Sequence, residues 1–145
     1  MFRHWAVNRD IHNGWFLFLK VIRRLLPHAT SDLHIALEIL ENNDQAHETW
    51  PTRYFALVWL SIVVLVPFEL GTVVEDVVPK LIKSAKQYLG DCGVTSNAAA
   101  MLLSRLLSRP GLVNSSLPEY IGWCTENLHN SEASIFLVWT MIKLC

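Results

Sequence analysis

"TRYFALVWLSIVVLVPFEL", residues 52–70, is apolar from Tyr54 to Phe68 except at Ser61 and Pro67, and Arg53 and Glu69 close it on either side. A segment this greasy goes into lipid or between the other helices of a core. A bilayer span needs about 20 consecutive apolar residues at a rise of about 1.5 Å each, whereas a shorter run suits a buried helix. The fifteen residues from Tyr54 to Phe68 therefore predict a fully buried core helix. The alternative is a small helical membrane protein with one short span at 54–68.

Composition bounds the choice. Twelve Lys and Arg against thirteen Asp and Glu give a formal net charge of −1. That leaves no electrostatic footprint for nucleic acid and no polybasic attraction to anionic lipid. Of the 145 residues, 52% are hydrophobic and only 17% charged, enough for one domain with a sizeable core. A small soluble monomer carries about a quarter or more charged residues on its surface, so some apolar surface here needs a cover. Cys92, Cys124 and Cys145 are odd in number and far apart, which argues against a disulfide framework and for a reducing compartment. "MFRHWAVNRD" is charged and mixed, and "GWFLFLKV" is too short for a signal sequence, so the expected location is the cytoplasm.

Apolar residues recur at helical spacing along almost the whole chain. "GWFLFLKVIRRLL" (14–26) is stopped by Pro27. A short helix follows, capped by Thr30, Ser31 or Asp32 and carrying Leu33, Ala36, Leu37 and Leu40 inward. After the polar loop "NNDQAHE", Pro51 sits in the first turn of the long apolar helix, which Pro67 ends or kinks. Residues 72–89 predict a helix with Leu81, Ile82, Ala85, Tyr88 and Leu89 inward, Lys80, Lys83, Lys86 and Gln87 outward, Gly90 as its stop and Pro79 as a candidate break. In "TSNAAAMLLSRLLSRPG", Thr95, Ser96 or Asn97 is the expected cap and Leu102, Leu103, Leu106 and Leu107 form the packing stripe. Ala98 to Ala100 permit close approach, and Pro110-Gly111 terminates. Ser116 and Glu119 stand at capping-box spacing around Pro118, and "EASIFLVWTMIKLC" reads as a last apolar helix.

Helix starts near 51, 73, 96 and 117 imply two long hairpins repeating at about 45 residues, the period of HEAT or armadillo arrays. The expected fold is all-α, with antiparallel helical hairpins stacked as a HEAT/armadillo-like α-solenoid fragment. Residues 1–13 form a divergent N-terminal segment, 14–130 the helical repeats, and 131–145 an apolar terminal helix of a truncated array. In such an array each repeat covers the greasy faces of its neighbours, which explains the apolar excess without a membrane.

Signals of catalysis are thin. There is no glycine-rich phosphate loop, G-x-S-x-G, H-E-x-x-H or C-x-x-C. His28, His34 and His47 lack ligand spacing, Cys124 reads as a small buried hydrophobe, and Glu75 and Asp76 diverge by about 100° on a helix. No catalytic, cofactor-binding or metal-ligating residue is assigned, and no enzyme is expected. Lys80, Lys83 and Lys86 form one basic ridge, and Arg105 with Arg109 another. They are the candidate partner-binding residues if both meet an acidic partner on one face, against the reading of a solvated polar face. Trp59 and Trp123 read as core.

Two stretches together, "WPTRYFALVWLSIVVLVPFEL" (Trp50 to Leu70) and "NAAAMLLSRLLSRPGL" (Asn97 to Leu112), resemble the tubulin-folding cofactor D family, also called tubulin-specific chaperone D. Trp50, Thr52, Arg53, Tyr54, Trp59, Leu60, Ser61, Pro67, Phe68 and Glu69 match a W-x-T-R-Y…W-L-S…P-F-[DE] pattern. Ala98, Ala99, Leu102, Ser104, Arg105, Arg109 and Pro110 match A-A-x-L-[LV]-S-R…R-P. Family members are several times longer, so the chain looks like a fragment, shortened paralogue or truncated product from the N-terminal half. The resemblance implies a cytoplasmic, cytoskeleton-associated scaffold without a bound cofactor. Such a scaffold binds beta-tubulin, tubulin cofactors C and E and a small Arf-like GTPase. It takes part in heterodimer assembly and in stimulating tubulin's GTP hydrolysis. At the matching positions Tyr54, Trp59, Leu60 and Phe68 are expected in the core, Arg53 at a helix start, and Pro110 as a terminator.

Overall fold

The computed structural model describes residues 20–21, 24–26, 29–42, 49–70, 76–91 and 93–128. Among them the elements are α1 (Asp32–Glu41), α2 (Trp50–Val63), α3 (Val77–Leu89), α4 (Val94–Leu107), the single turn α5 (Pro110–Val113) and α6 (Ser116–Leu128), with no strand. The expected N-terminal and C-terminal segments, 1–13 and 131–145, lie outside the described residues.

The decisive stretch is a core helix. In α2, Ala56 to Leu60 are all buried, as are Ile62 and Val63. The helix lies between α1 and α4 and makes its most extensive contacts with α4. At fourteen residues it is about 21 Å long, against a hydrocarbon layer of about 30 Å. Among the described residues no helix is long and apolar enough to cross a membrane, so the short-span alternative at 54–68 is set aside.

Several boundaries differ from the sequence expectation for local reasons. The chain leaves α2 at Val63, four residues before Pro67, whose ring would clash with the Val63 carbonyl if the helix continued. Its exit tightens through i→i−3 bonds, from the Leu65 N–H to Ile62 O at 3.1 Å and from the Val66 N–H to Val63 O at 3.0 Å. Pro79 does not divide α3. The helix begins at Val77, so Pro79 falls in its first turn, where an N–H has no intrahelical partner. Gly93, at φ 92° and ψ −140°, turns the chain into α4 two residues ahead of the first expected cap, Thr95. Thr95 and Ser96 are consequently inside the first turn and buried, and the Ser96 hydroxyl donates to Leu89 O at 3.0 Å. It satisfies a carbonyl at the end of α3 and does not cap its own helix. α4 ends at Leu107, ahead of Pro110 as expected of a terminator, and Pro110 also opens the single turn α5. Ser116 is the first residue of α6, inside the helix where a capping box wants it in front. At α1 the Asp32 carboxylate reaches back and accepts from the Ala29 N–H at 3.0 Å.

Polar contacts fix the helix directions. The Tyr88 hydroxyl donates to Leu40 O at 3.4 Å, which brings the C-terminal ends of α1 and α3 together. Arg53, at the start of α2, lies 5.8 Å from the Tyr88 ring, so α2 runs opposite to both. Arg105, near the end of α4, reaches Ser61 near the end of α2, so those two run in the same sense. Among the described residues the result is an all-helical α-solenoid arrangement in two layers. α1 and α3 form one, continued by α6 through the contact of Lys86 with Tyr120 and Trp123, and α2 and α4 form the other.

The repeat length is as expected, since α4 begins 44 residues after α2, at Val94 against Trp50. Its phase is not. The hairpins pair α1 with α2 and α3 with α4, whereas the predicted starts paired the 51 helix with the 73 helix and the 96 helix with the 117 helix. Ala98, Ala99 and Ala100 are wholly covered, and their small side chains let α4 sit close against its neighbours.

Candidate functional site

Chemistry-bearing groups are dispersed. Among the described residues no three His, Cys, Asp or Glu side chains gather closely enough to hold a metal ion. His34 is exposed and stands 3.9 Å from Glu38 one turn on. His28, His47 and Glu75 lie outside the described residues, and Asp76 is exposed at the entry to α3. The Cys124 thiol is fully buried. Burial pushes its pKa up, against smaller opposing pulls from a hydrogen bond with Tyr120 and the charge of Lys86, which disfavours the nucleophilic thiolate.

The five candidate cations divide between the two layers. Arg105 donates from Nη1 to Ser61 O at 3.0 Å and to Ser61 Oγ at 3.1 Å, while the Ser61 hydroxyl donates to Val58 O at 2.7 Å. Arg109 donates to the carbonyls of Val64, Val66 and Phe68, with the Val66 contact at 3.0 Å, and its guanidinium lies 5.8 Å from the Phe68 ring. The end of a helix leaves its last carbonyls without intrahelical donors, and here the forked, permanently charged guanidinium groups of α4 and the turn after it supply them. The S-R…R-P and W-L-S…P-F-[DE] motifs are thus two halves of one latch. Their one-repeat spacing was visible in the sequence; that they touch was not.

A second polar tie holds the other end of α2. Arg53 is only 5% exposed; it donates to Thr49 Oγ1 at 3.2 Å and stands 3.9 Å from the Asp91 carboxylate. Burial raises the pKa of the Tyr88 phenol beneath it, with the Arg53 charge lowering it and that of Asp91 raising it. Sequence reasoning had placed Arg53 at a helix start, as observed, but carried no sign that it is buried against the next repeat.

Lys80, Lys83 and Lys86 lie on the outer side of α3, in the other layer. Lys80 and Lys83 are exposed, and no ion pair joins either to another described residue. Lys86 is half-buried, its ammonium 4.8 Å from the Trp123 ring and 5.8 Å from that of Tyr120. The expectation that lysines and arginines share one face is therefore corrected. α3 turns its lysines outward, while the arginines are turned onto α2. Hollows flank the lysine row on both sides, one of about 330 Å³ against Leu40 and Glu41 of α1 and one of about 480 Å³ against α6.

With this geometry in place, comparison with known proteins is informative. Tubulin-folding cofactor D of Schizosaccharomyces pombe is 30% identical over 119 residues, which cover 81% of this chain but 10% of the relative, so the chain spans about a tenth of that protein's length. No solved structure matches. A family model described as tubulin-specific chaperone D-like, ARM repeat, matches residues 18–128, which takes in every helix described above. The chain belongs to the tubulin-specific chaperone D-like ARM repeat family.

Proposed function

We propose that this chain is a non-enzymatic interaction scaffold in tubulin folding. It binds beta-tubulin and partner cofactors during heterodimer assembly and contributes with them to stimulating tubulin GTP hydrolysis. The observation that carries this reading is the family match across residues 18–128. The geometry supports it: stacked helical pairs offer grooves and an outward lysine row. Its partners are beta-tubulin, cofactors C and E and a small Arf-like GTPase, met in the cytoplasm and at the cytoskeleton.

The test is capture by the immobilised 145-residue chain of beta-tubulin, the two cofactors and the GTPase, each purified. Retention of beta-tubulin or a cofactor, reduced when Lys80 and Lys83 are both changed to Glu, is expected. A helical, folded chain that retains none of the four overturns the proposal.

A further inference from the structure

We infer that the groove between α3 and α6 is a docking site for a short acidic segment carrying apolar anchor side chains. The groove encloses about 480 Å³, within the range of about 300–1,000 Å³ typical of ligand clefts. Val78, Ile82 and Leu112 form its apolar lining, backed by the Tyr120 ring, and Lys83 and Lys86 form its rim. Lys80 lines the hollow on the other side of the row, against α1, so the two cations facing this groove, Lys83 and Lys86, are three residues and about 4.5 Å of rise apart. A partner helix presents carboxylates at i, i+3 and i+4 with a matching step, and its apolar anchors at the same spacing face the floor.

Charge assigns the occupant. Lys83 has no ion pair with a described residue, and Lys86 is already oriented by the Trp123 and Tyr120 rings. The opposite wall carries Glu119, which keeps carboxylates away from that side and aligns the segment with its acidic edge on α3. Tyr120 is fully buried and offers no face for base stacking, which disfavours a nucleic-acid strand even though the rim is basic. This inference rests on the scaffold reading only for there being a partner at all; it adds the partner's chemistry and the place it binds.

The probe is a fluorescein-labelled peptide, Glu-Glu-Leu-Glu-Glu-Leu-Leu-Glu-Glu, titrated with the full chain and followed by anisotropy. Saturable micromolar binding is expected, falling about tenfold with Lys83→Glu and by a similar factor with Ile82→Ser, and lost when the peptide's leucines become serines. Arg24→Glu, an exposed charge reversal outside the groove, leaves it unchanged. Absence of saturable binding to a helical wild-type chain overturns the inference. So does binding indifferent to both groove substitutions, or equal affinity for an oligothymidylate of the same label. Peptide failure with beta-tubulin still retained removes the groove and leaves the scaffold; peptide binding without retention of any of the four proteins does the reverse.

Discussion

Arg109 donates to the carbonyl of Phe68, 41 residues earlier in the chain, and thereby fastens the turn after α2 to the end of α4. The contact joins equivalent ends of consecutive hairpins, since Arg105 does the same at Ser61 with a separation of 44 residues. Three carbonyls depend on Arg109, so its loss leaves part-buried acceptors unmatched. Arg109→Ala is expected to destabilise the chain by about 1–3 kcal/mol, read from the urea midpoint by circular dichroism. Arg109→Lys recovers only part, because an ammonium lacks the planar fork; full recovery would show that charge alone matters.

Arg105 and Ser61 act as a pair. In a double-mutant cycle of Arg105→Ala and Ser61→Ala, a coupling of about 0.5–3 kcal/mol is expected from thermal or urea unfolding. Strict additivity would mean that the Ser61 Oγ contact contributes nothing, since the bond to the Ser61 carbonyl survives Ser61→Ala.

Burial within α2 sets a contrast between neighbouring positions. Leu57 is wholly covered while Phe55 is 38% exposed. Leu57→Ala is expected to cost about 2–5 kcal/mol and Phe55→Ala clearly less, whereas a lipid-embedded helix in detergent would not rank them this way.

The Gly93 turn makes a separate prediction. At φ 92° a side chain is strained even though nothing lies within 4 Å of where a Cβ would stand. Gly93→Ala is expected to destabilise by about 1 kcal/mol or more through backbone strain. Ser96→Ala costs about 1–3 kcal/mol by leaving Leu89 O unmatched, and the two substitutions are distinguishable by whether a Thr at position 96 restores stability.

Alkaline pH weakens the fold. Burial raises the pKa of Tyr54, Tyr88 and Cys124 above their ordinary values of 10.0, 10.0 and 9.0. Each group is neutral when protonated and its folded-state pKa is the higher one. Its contribution is therefore complete below the unfolded pKa and is lost as pH rises from there through the folded value. Stability is expected to hold up to about pH 9 and to decline beyond it, checked by urea midpoints at pH 7 to 11. Cys124→Ala should lessen the earliest part of that decline.

Most of the core was legible residue by residue, although Ile82, Phe68 and Trp123, expected in it, are only half-buried at its edge. Leu33, Leu37 and Leu40, then Leu81, Ala85 and Leu89, then Leu102, Leu103, Leu106 and Leu107 repeat at helical intervals, and all are buried. Spacing of that kind reports which side of a helix is covered but not which neighbour covers it, so the phase of the hairpins escaped. Ser96 and Arg105 show why the polar positions were misread. Each serves a backbone carbonyl in another helix, whereas Ser96 near a helix start suggests only local capping and Arg105 on a helix suggests only a basic surface ridge. Arg53 was harder still, because a cation beside a helix start looks solvated until the next repeat is laid over it. Lys80 and Lys83 faced outward as their helical phase required, but the groove beside Lys83 exists only once α6 is stacked against α3.

Because α2 is tied to the following hairpin at both ends, by Arg53 to α3 and by Arg105 of α4 and Arg109 just beyond it, the two hairpins share their polar fastenings as well as their grease. A pull along the solenoid axis therefore meets charge-assisted bonds before the apolar seam can slide. Peeling one hairpin away strips the other of its helix-end donors, so the pair should melt as one cooperative block, with no half-unzipped stage between.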